Sequence, residues 1–195
     1  LRVTEYTNDL LSKFNQASCI SIDTKNGPYK IITIYRPPSS NDDNNSTLNQ
    51  LITAMSSGRA VFVGDFNYRQ IDWKSSTMFE SDRRAELFLE TVTDSFLSQY
   101  VDFPTRKGNT LDLILATQAA RVTDVTDEAK LGDSDHSGLS FRLGDKGERQ
   151  PKTIQRVPNF NKADFRAIRN RLAEVDWKEE FMDASIEVAW GRFSR

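Results

Sequence analysis

The pattern of apolar and polar positions predicts short strands that alternate with helices through the first 143 residues. Residues 18–23 and 30–35 are rich in β-branched side chains and are separated by Asn26-Gly27, a dipeptide typical of tight hairpins. We therefore expect these two segments to pair as antiparallel strands. A continuous apolar run at 60–63 is bounded by glycines and is typical of a strand buried on both faces.

Helices are predicted where apolar residues recur at intervals of three and four positions. Two segments show this spacing: Leu48, Leu51, Ile52 and Met55, and then Ala85, Phe88, Leu89, Val92 and Phe96. Further strands are predicted at 111–116 and 139–143, and the polar segment 39–46 is predicted to be a solvated loop. Strands and helices that share one core are typical of a layered α/β or α+β domain.

The character of the chain changes at Gly144. Residues 145–171 contain eight Lys or Arg against three Asp or Glu, and the apolar spacing beyond them predicts helices that begin with Asn161 as an N-cap. We therefore expect a layered domain at 1–143, followed by a basic linker and helical extension at 144–195.

Composition and charge narrow the class of protein. The chain has 195 residues, of which 37% are hydrophobic and 28% are charged, a composition typical of a soluble globular protein. Its 26 basic and 28 acidic residues nearly balance, so the net charge does not indicate that the protein binds nucleic acid. One cysteine, Cys19, excludes an internal disulfide and favours a reducing compartment, nuclear or cytoplasmic. No long apolar segment predicts a membrane span. The first residue is Leu1, so we interpret the chain as a fragment or a processed chain.

Candidate chemistry lies at the ends of two predicted strands. In "VFVGDFN" the buried strand is followed by Asp65 and Asn67, which share one face if the segment stays extended, with Phe66 anchored in the core. A carboxylate beside a carboxamide suits a hard metal ion or a water molecule, although both residues are also common in turns.

A second carboxylate lies inside an apolar strand. Asp112 in "NTLDLIL" would be costly to bury without a partner, and the natural partner is an imidazole. The chain offers one, His136. The alternatives are that His136 is an ordinary surface residue or a satisfied core residue, and that its neighbours Ser134 and Asp135 form only a hydrogen-bonded turn.

Four segments in order resemble one known superfamily. They are "IYRPPSS" (34–40), "GDFN" (64–67), "FPTRKGNTLDLIL" (103–115) and "SDHSGLSF" (134–141). Together they resemble the endonuclease/exonuclease/phosphatase superfamily, and more narrowly the apurinic-type endonuclease domain of non-LTR (LINE-type) retrotransposon polyproteins. The C-terminal segment is similar to the part that joins endonuclease to reverse transcriptase in those polyproteins.

The resemblance implies a fold, a substrate and a cofactor. The implied fold is a four-layer sandwich in which two packed β-sheets lie between outer helices. The implied substrate is a phosphodiester or phosphomonoester, with DNA as the partner of the retrotransposon enzymes, and the implied cofactor is Mg²⁺ or Mn²⁺. Candidate ligands that are all oxygen donors are consistent with these ions.

Five residues acquire catalytic roles from the resemblance. Tyr35 matches a tyrosine that contacts the scissile phosphate, and Asp65 matches the aspartate that orients or deprotonates the attacking water. Asn67 matches an amide that orients that water and binds the transition state. Asp112 and His136 match a carboxylate–imidazole pair whose imidazole presents an N–H to a phosphoryl oxygen.

Other residues are expected at the metal and at the substrate. By the same resemblance Asp135 matches a metal-side carboxylate with Ser134 beside it, and Thr105 matches a phosphate-side hydroxyl. Thr105 follows a proline, however, and could only begin a turn. Arg36 and Arg106 flank the motifs and are candidates to contact the DNA backbone.

The N-terminal part departs from the family pattern. In the family, an Asn and a metal-binding Glu end the first two strands, well before the tyrosine motif. Only 34 residues precede Tyr35, they predict a helix and one hairpin strand, and Glu5 lies too close to Tyr35 for that role. We therefore expect a domain that lacks its N-terminal strands and binds metal weakly on its own. Whether such a chain is active is left open by the sequence.

Three hypotheses for function follow. The first is a metal-dependent DNA endonuclease of a non-LTR retrotransposon. The second is a phosphatase or phosphodiesterase of the same superfamily, which the core motifs allow. The third is a non-catalytic remnant that binds nucleic acid or a protein.

Overall fold

The computed structural model describes residues 2–14, 16–144, 164–182 and 185–193, which fall into two compact units, Leu1–Glu148 and Arg149–Arg195. We call them the layered unit and the helical unit. The strands of the layered unit are β1 Arg2–Glu5, β2 Ala17–Asp23, β3 Tyr29–Tyr35, β4 Arg59–Asp65, β5 Ile71–Asp72, β6 Thr77–Met78, β7 Leu97–Gln99, β8 Asp112–Thr117, β9 Val122–Glu128 and β10 Gly138–Leu143. Its helices are α1 Asp9–Lys13, α2 Asp42–Met55 and α3 Arg83–Asp94, with a 3₁₀ turn at Gln118–Ala120.

Six strands form the main sheet in the order β1-β2-β3-β4-β8-β7. The predicted hairpin is confirmed, because β2 and β3 pair in antiparallel orientation. Strands β3 and β4 are parallel, and α2 supplies the crossover that such a pair requires. Strand β4 then pairs with β8 in antiparallel orientation.

The central strands β4 and β8 of this sheet are buried on both faces. Alternate residues of β4 and β8 face two apolar clusters: Phe62 and Leu115 pack with the helices, and Val61 and Ile114 pack against the other side. The second cluster includes apolar residues of the β9–β10 pair, which covers that face. Burial on both sides of β4 explains the uninterrupted apolar run at 60–63. The predicted mixed α/β class with packed sheets is confirmed.

One predicted loop is in fact a helix. Helix α2 begins at Asp42, inside the segment predicted to be solvated, because the Asn41 side chain accepts a hydrogen bond from Asn44 N and caps the first turn. Asp42 and Asp43 add negative charge where the helix dipole favours it. Residues that favour loops also favour helix N-termini, so composition alone misled the prediction.

The described part of the helical unit consists of α4 Phe165–Ala173, α5 Trp177–Phe181 and α6 Ile186–Phe193. Asp164 caps α4, and the rings of Trp177 and Phe181 stack at 5.5 Å. The predicted cap Asn161 and the basic linker lie outside the described residues, and the boundary near residue 144 stays a prediction. None of the helices described is both long and apolar enough to cross a membrane.

Candidate active site

The sheet register places three predicted site residues side by side. Tyr35, at the end of β3, is opposite Asp65, and Asp65 is opposite Asp112 at the start of β8. Neighbouring strands lie about 4.8 Å apart, so the row brings two carboxylates close together. Tyr35 remains half-exposed beside them.

Gly64 allows this close approach. A Cβ at this position would lie 1.9 Å from the carbonyl oxygen of Ile34, and the φ of Gly64 is +137°. Only glycine therefore lets β4 lie so close to β3 where it delivers Asp65.

His136 joins the row from the loop before β10. Its Nδ1 lies 2.8 Å from Oδ2 of Asp112, and its Nε2 lies 3.9 Å from Oδ2 of Asp65. The contact expected from an embedded carboxylate and a lone imidazole is present. Because a carboxylate only accepts, Nδ1 carries the proton and Nε2 is the nitrogen left for chemistry.

Burial and like charge act on Asp65. Desolvation raises the pKa of the Asp65 carboxyl, and the neighbouring Asp112 raises it further, while His136 and the hydrogen bonds from Asn67 oppose the rise. The side chain of Asp65 is only 15% exposed, so water screens this repulsion poorly. A cation bound between these two carboxylates would offset their mutual repulsion.

The donor set fits a divalent cation. One ligand atom each from Asp65, Asp112 and His136 lie within 4.8 Å of one another. Two carboxylate oxygens and an imidazole nitrogen are common ligands of divalent metal ions in proteins. The expectation of oxygen donors alone was incomplete, because this group includes a nitrogen.

Asp135, expected at the metal, lies outside that group, although its Oδ1 is 3.9 Å from Nε2 of His136. Its Oδ2 accepts from Nε of Arg106 at 2.9 Å and lies 3.3 Å from Nζ of Lys107. The hydrogen bond from Arg106 is the main reason that the pKa of Asp135 is lowered. Ser134 Oγ accepts from His136 N at 3.1 Å, the hydrogen-bonded turn that was the alternative interpretation of this segment.

Asn67 does not continue the strand. Its φ of +52° is in the left-handed region, its N–H donates to Oδ1 of Asp65 at 3.1 Å, and its side-chain amide donates to the carbonyl of Arg36 at 2.9 Å. The condition that residues 65–67 stay extended is therefore not met. The expected anchor is confirmed, because Phe66 is fully buried.

The hydroxyl of Thr105, which the resemblance matches to a phosphate-side hydroxyl, is engaged inside the protein. The residue is 2% exposed, and its Oγ1 accepts from the backbone N–H groups of Leu111 at 3.1 Å and Asp112 at 3.0 Å. Its carbonyl accepts from Ser137 N at 2.9 Å. Thr105 thus connects the strand that carries Asp112 to the loop that carries His136.

Arg36 likewise departs from its expected role at the DNA backbone. It is 4% exposed and lies over the ring of Tyr68, with its guanidinium hydrogen-bonded to Asn45 and to the carbonyl oxygens of residues 66 and 67. Arg106, at 32% side-chain exposure, is the accessible arginine of the two. Sequence reasoning missed Asn45 and Tyr68, because neither residue lies in an apolar pattern that signals burial.

Comparisons with known proteins agree with this fold. A family model described as endonuclease–reverse transcriptase matches residues 29–140, and the chain therefore belongs to this family. The predicted membership of the endonuclease/exonuclease/phosphatase superfamily is confirmed. A comparison with curated proteins finds no match.

Two solved structures have a similar fold. The endonuclease domain of TRAS1, a telomere-specific non-LTR retrotransposon, has a TM-score of 0.57 and 19% identity, covering 73% of this chain and 68% of its own. The 3′ phosphatase NExo from Neisseria, bound to a product DNA hairpin, has a TM-score of 0.50 and 16% identity, covering 73% of this chain and 70% of its own. At these identities the likeness shows the fold alone.

Proposed function

We propose that the layered unit is a nuclease domain that uses a divalent metal ion, Mg²⁺ or Mn²⁺, to hydrolyse phosphodiester bonds in DNA. The observation that carries this proposal is the convergence of Asp65, Asp112 and His136 from three separate segments of a chain in the endonuclease–reverse transcriptase family. Phosphodiester hydrolysis requires an activated water and neutralisation of phosphoryl charge, and a general base beside an imidazole can meet both requirements.

Asp65 is the general base of this proposal. A base is most effective when its pKa lies near the working pH, and burial moves the pKa of Asp65 upward in that direction. The N–H of Asn67 holds one carboxylate oxygen, which leaves the other to take a proton from water or to orient it.

His136 is the donor to the phosphate. Asp112 holds the ring at Nδ1, so the Nε2 edge faces the side of Asp65. When protonated, this edge presents an N–H to a phosphoryl oxygen and offsets the negative charge that develops there. Asp112 orients the ring.

The carboxylate oxygens of Asp65 and Asp112 would hold the metal ion, and Nε2 of His136 would stay free of the metal so that it can donate its N–H. When bound, the metal ion supplies Lewis-acid stabilisation of the phosphoryl oxygens. Tyr35, half-exposed at the end of the same row, is positioned to contact the phosphate from the side of β3.

A basic rim supports DNA as the substrate. Arg106 and Lys107 flank the site beside Asp135, and Lys107 is 75% exposed. Such side chains bind phosphates through charge without reading sequence. The family description supports a parent protein that also carries reverse transcriptase, and the single cysteine favours a nuclear or cytoplasmic location.

A plasmid-nicking assay tests the proposal. Purified protein is incubated with supercoiled plasmid and Mg²⁺ or Mn²⁺, and relaxation is compared with Asp65→Ala and His136→Ala. Asp43→Ala, an exposed aspartate on α2, is the matched control. We expect nicking by the wild type and the control, and loss of nicking in both site variants and in EDTA.

A parallel substrate separates the remaining hypotheses. Release of phosphate from a 3′-phosphorylated oligonucleotide without nicking would favour a phosphatase. If neither reaction occurs and metal produces no shift in thermal stability, both enzyme hypotheses fail for this chain, and a non-catalytic binding role remains.

A further inference from the structure

Arg36 is hydrogen-bonded to all three residues of the turn at 65–67. Its backbone N–H donates to the carbonyl of Asp65 at 2.8 Å, and its Nη1 donates to the carbonyls of Phe66 and Asn67 at 3.2 Å each. Its own carbonyl accepts from the side-chain amide of Asn67 at 2.9 Å. One residue at the end of β3 therefore ties down the whole turn at the end of β4.

The guanidinium is itself held inside the protein. Its Nε donates to Oδ1 of Asn45 at 2.7 Å, and its Cζ lies 3.9 Å from the ring centroid of Tyr68. The Tyr68 hydroxyl donates to the same Asn45 oxygen at 2.9 Å. All three side chains are at least 95% buried, with exposures of 4% for Arg36, 4% for Asn45 and 2% for Tyr68.

Burying an arginine whose hydrogen-bond acceptors are neutral has a large desolvation cost. Desolvation lowers the pKa of the Arg36 guanidinium, although arginine stays protonated in proteins. Buried charges add little net stability compared with apolar residues of similar volume, so their use often lies in fixing one geometry.

The turn that Arg36 holds includes a left-handed residue. Asn67 has a φ of +52°, in a region that most L-residues avoid but that Asn adopts more readily than others, and the contacts around the turn hold it there. In this conformation the Asn67 N–H points to Oδ1 of Asp65 at 3.1 Å. If the turn relaxed to extended backbone, the Asp65 carboxylate would lose that hydrogen bond.

We propose that Arg36 is the positioning residue of this site: it holds the 65–67 turn and thereby directs the Asp65 carboxylate toward His136 and Asp112. The catalytic part of the inference rests on the proposed nuclease function. Arg36 does not contact the substrate, because its guanidinium is enclosed by Asn45, Tyr68 and the turn.

Arg36→Lys is the sharpest variant. It keeps the positive charge, but an ammonium cannot reproduce the planar fork that reaches Asn45 and two carbonyls at once. Arg84→Lys is the matched control, because Arg84 also bridges a side chain and a backbone carbonyl, Asp42 and Ser40, and lies partly exposed on α3.

The first readout is structural and requires neither metal nor DNA. In ¹H–¹⁵N spectra, we expect the backbone and side-chain amide signals of Asn67 to shift in Arg36→Lys, and its backbone N–H to exchange about tenfold faster or more. Core methyl signals stay in place, which shows that the protein is folded. Unchanged Asn67 signals and exchange would overturn the inference, as would equal changes in Arg84→Lys.

The second readout separates positioning from DNA contact. We expect the kcat for nicking to fall about tenfold or more in Arg36→Lys, while KM for DNA and the salt dependence of binding stay close to wild type. Loss of a direct phosphate contact would instead weaken binding and reduce the salt slope by about one, and that result would refute the inference. If the wild type does not nick DNA, the proposed function fails, and the Asn67 signals still decide whether Arg36 holds the turn.

Discussion

Thr105→Val tests whether a buried hydroxyl holds the site together. Valine has nearly the same shape as threonine, so the substitution opens no cavity. It removes the oxygen that accepts from the N–H groups of Leu111 and Asp112, and Thr105 is 2% exposed, so water has little access to replace it. The change therefore isolates two hydrogen bonds.

The expected loss follows from those two donors. A buried N–H left without an acceptor costs about 1–3 kcal/mol, and partial relaxation of the loop reduces the sum to roughly 2–4 kcal/mol. For a chain of this size, each kcal/mol corresponds to about 2–4 °C in Tm, so a loss near the middle of that range lowers Tm by roughly 6–12 °C.

Two variants serve as comparisons. Thr105→Ser keeps the hydroxyl and removes one buried methyl, for an expected loss of about 1 kcal/mol. Thr91→Val makes the same chemical change at a partly exposed position on α3, where one local bond to Leu87 is lost and stability stays within about 0.5 kcal/mol of wild type.

Urea unfolding followed by circular dichroism gives the free energies of unfolding, with equal m-values as the check that the variants unfold alike. The single histidine of the chain provides a second measurement, since its imidazole signals need no assignment among several. We expect Thr105→Val, but not Thr105→Ser, to shift the His136 signals. Equal stability of Thr105→Val and wild type, or an equal loss in Thr105→Ser, would refute this reasoning.

Three further predictions concern the row of carboxylates and the glycine beside it. The folded state raises the pKa of the Asp65 carboxyl, so the stability that its protonated form confers at low pH is lost as the pH rises through the folded-state pKa. In metal-free buffer, Asp65→Asn should therefore be more stable than wild type at pH 7 and lose that advantage in acid. Thermal unfolding across pH checks this, and no gain at neutral pH would contradict it. Asp112→Asn keeps the shape of the side chain but removes the negative charge beside Nδ1 of His136. Nicking in the plasmid assay should fall about 100-fold or more, while Tm changes little. Retained nicking would exclude the Asp112–His136 pair from catalysis. Gly64→Ala places a Cβ 1.9 Å from a carbonyl oxygen of β3 and should lower the free energy of unfolding by about 3 kcal/mol or more. Gly58→Ala, whose Cβ would have nothing within 4 Å, should lower it clearly less, as measured by urea unfolding. Similar losses in the two variants would argue against the close approach of β4 to β3.

Much of the scaffold could be predicted from local pattern. The apolar run at 60–63 indicated a strand with two buried faces, and β4 has apolar clusters on both sides. The β2–β3 pair followed from strand residues around a turn dipeptide. Strands β1 and β9 were not predicted, because their residues are mostly exposed and alternate weakly. Periodicity detects an element through the face that it buries, and these two bury little.

One contact of the site was also predictable, for an electrostatic reason. A carboxylate at Asp112 inside an apolar segment needed a partner, and the chain contains one imidazole. The structure has that contact at 2.8 Å. Because the chain has one imidazole, residue type alone was sufficient to predict that Asp112 pairs with His136.

The tertiary structure decided which polar residues near the motifs face solvent. Arg36 and Arg106 both lie in motif segments and have the same side chain, yet Arg36 is buried with its guanidinium over the ring of Tyr68 and Arg106 lies at the rim. Thr105 was expected at the phosphate and instead holds the backbone of Asp112. By itself, the sequence determined the buried strands, the family motifs and the Asp112–His136 pair, because each depends on residue type and local order. Whether a polar side chain contacts a substrate or supports the residues that do depends on which distant segments enclose it, and only the folded chain brings those segments together.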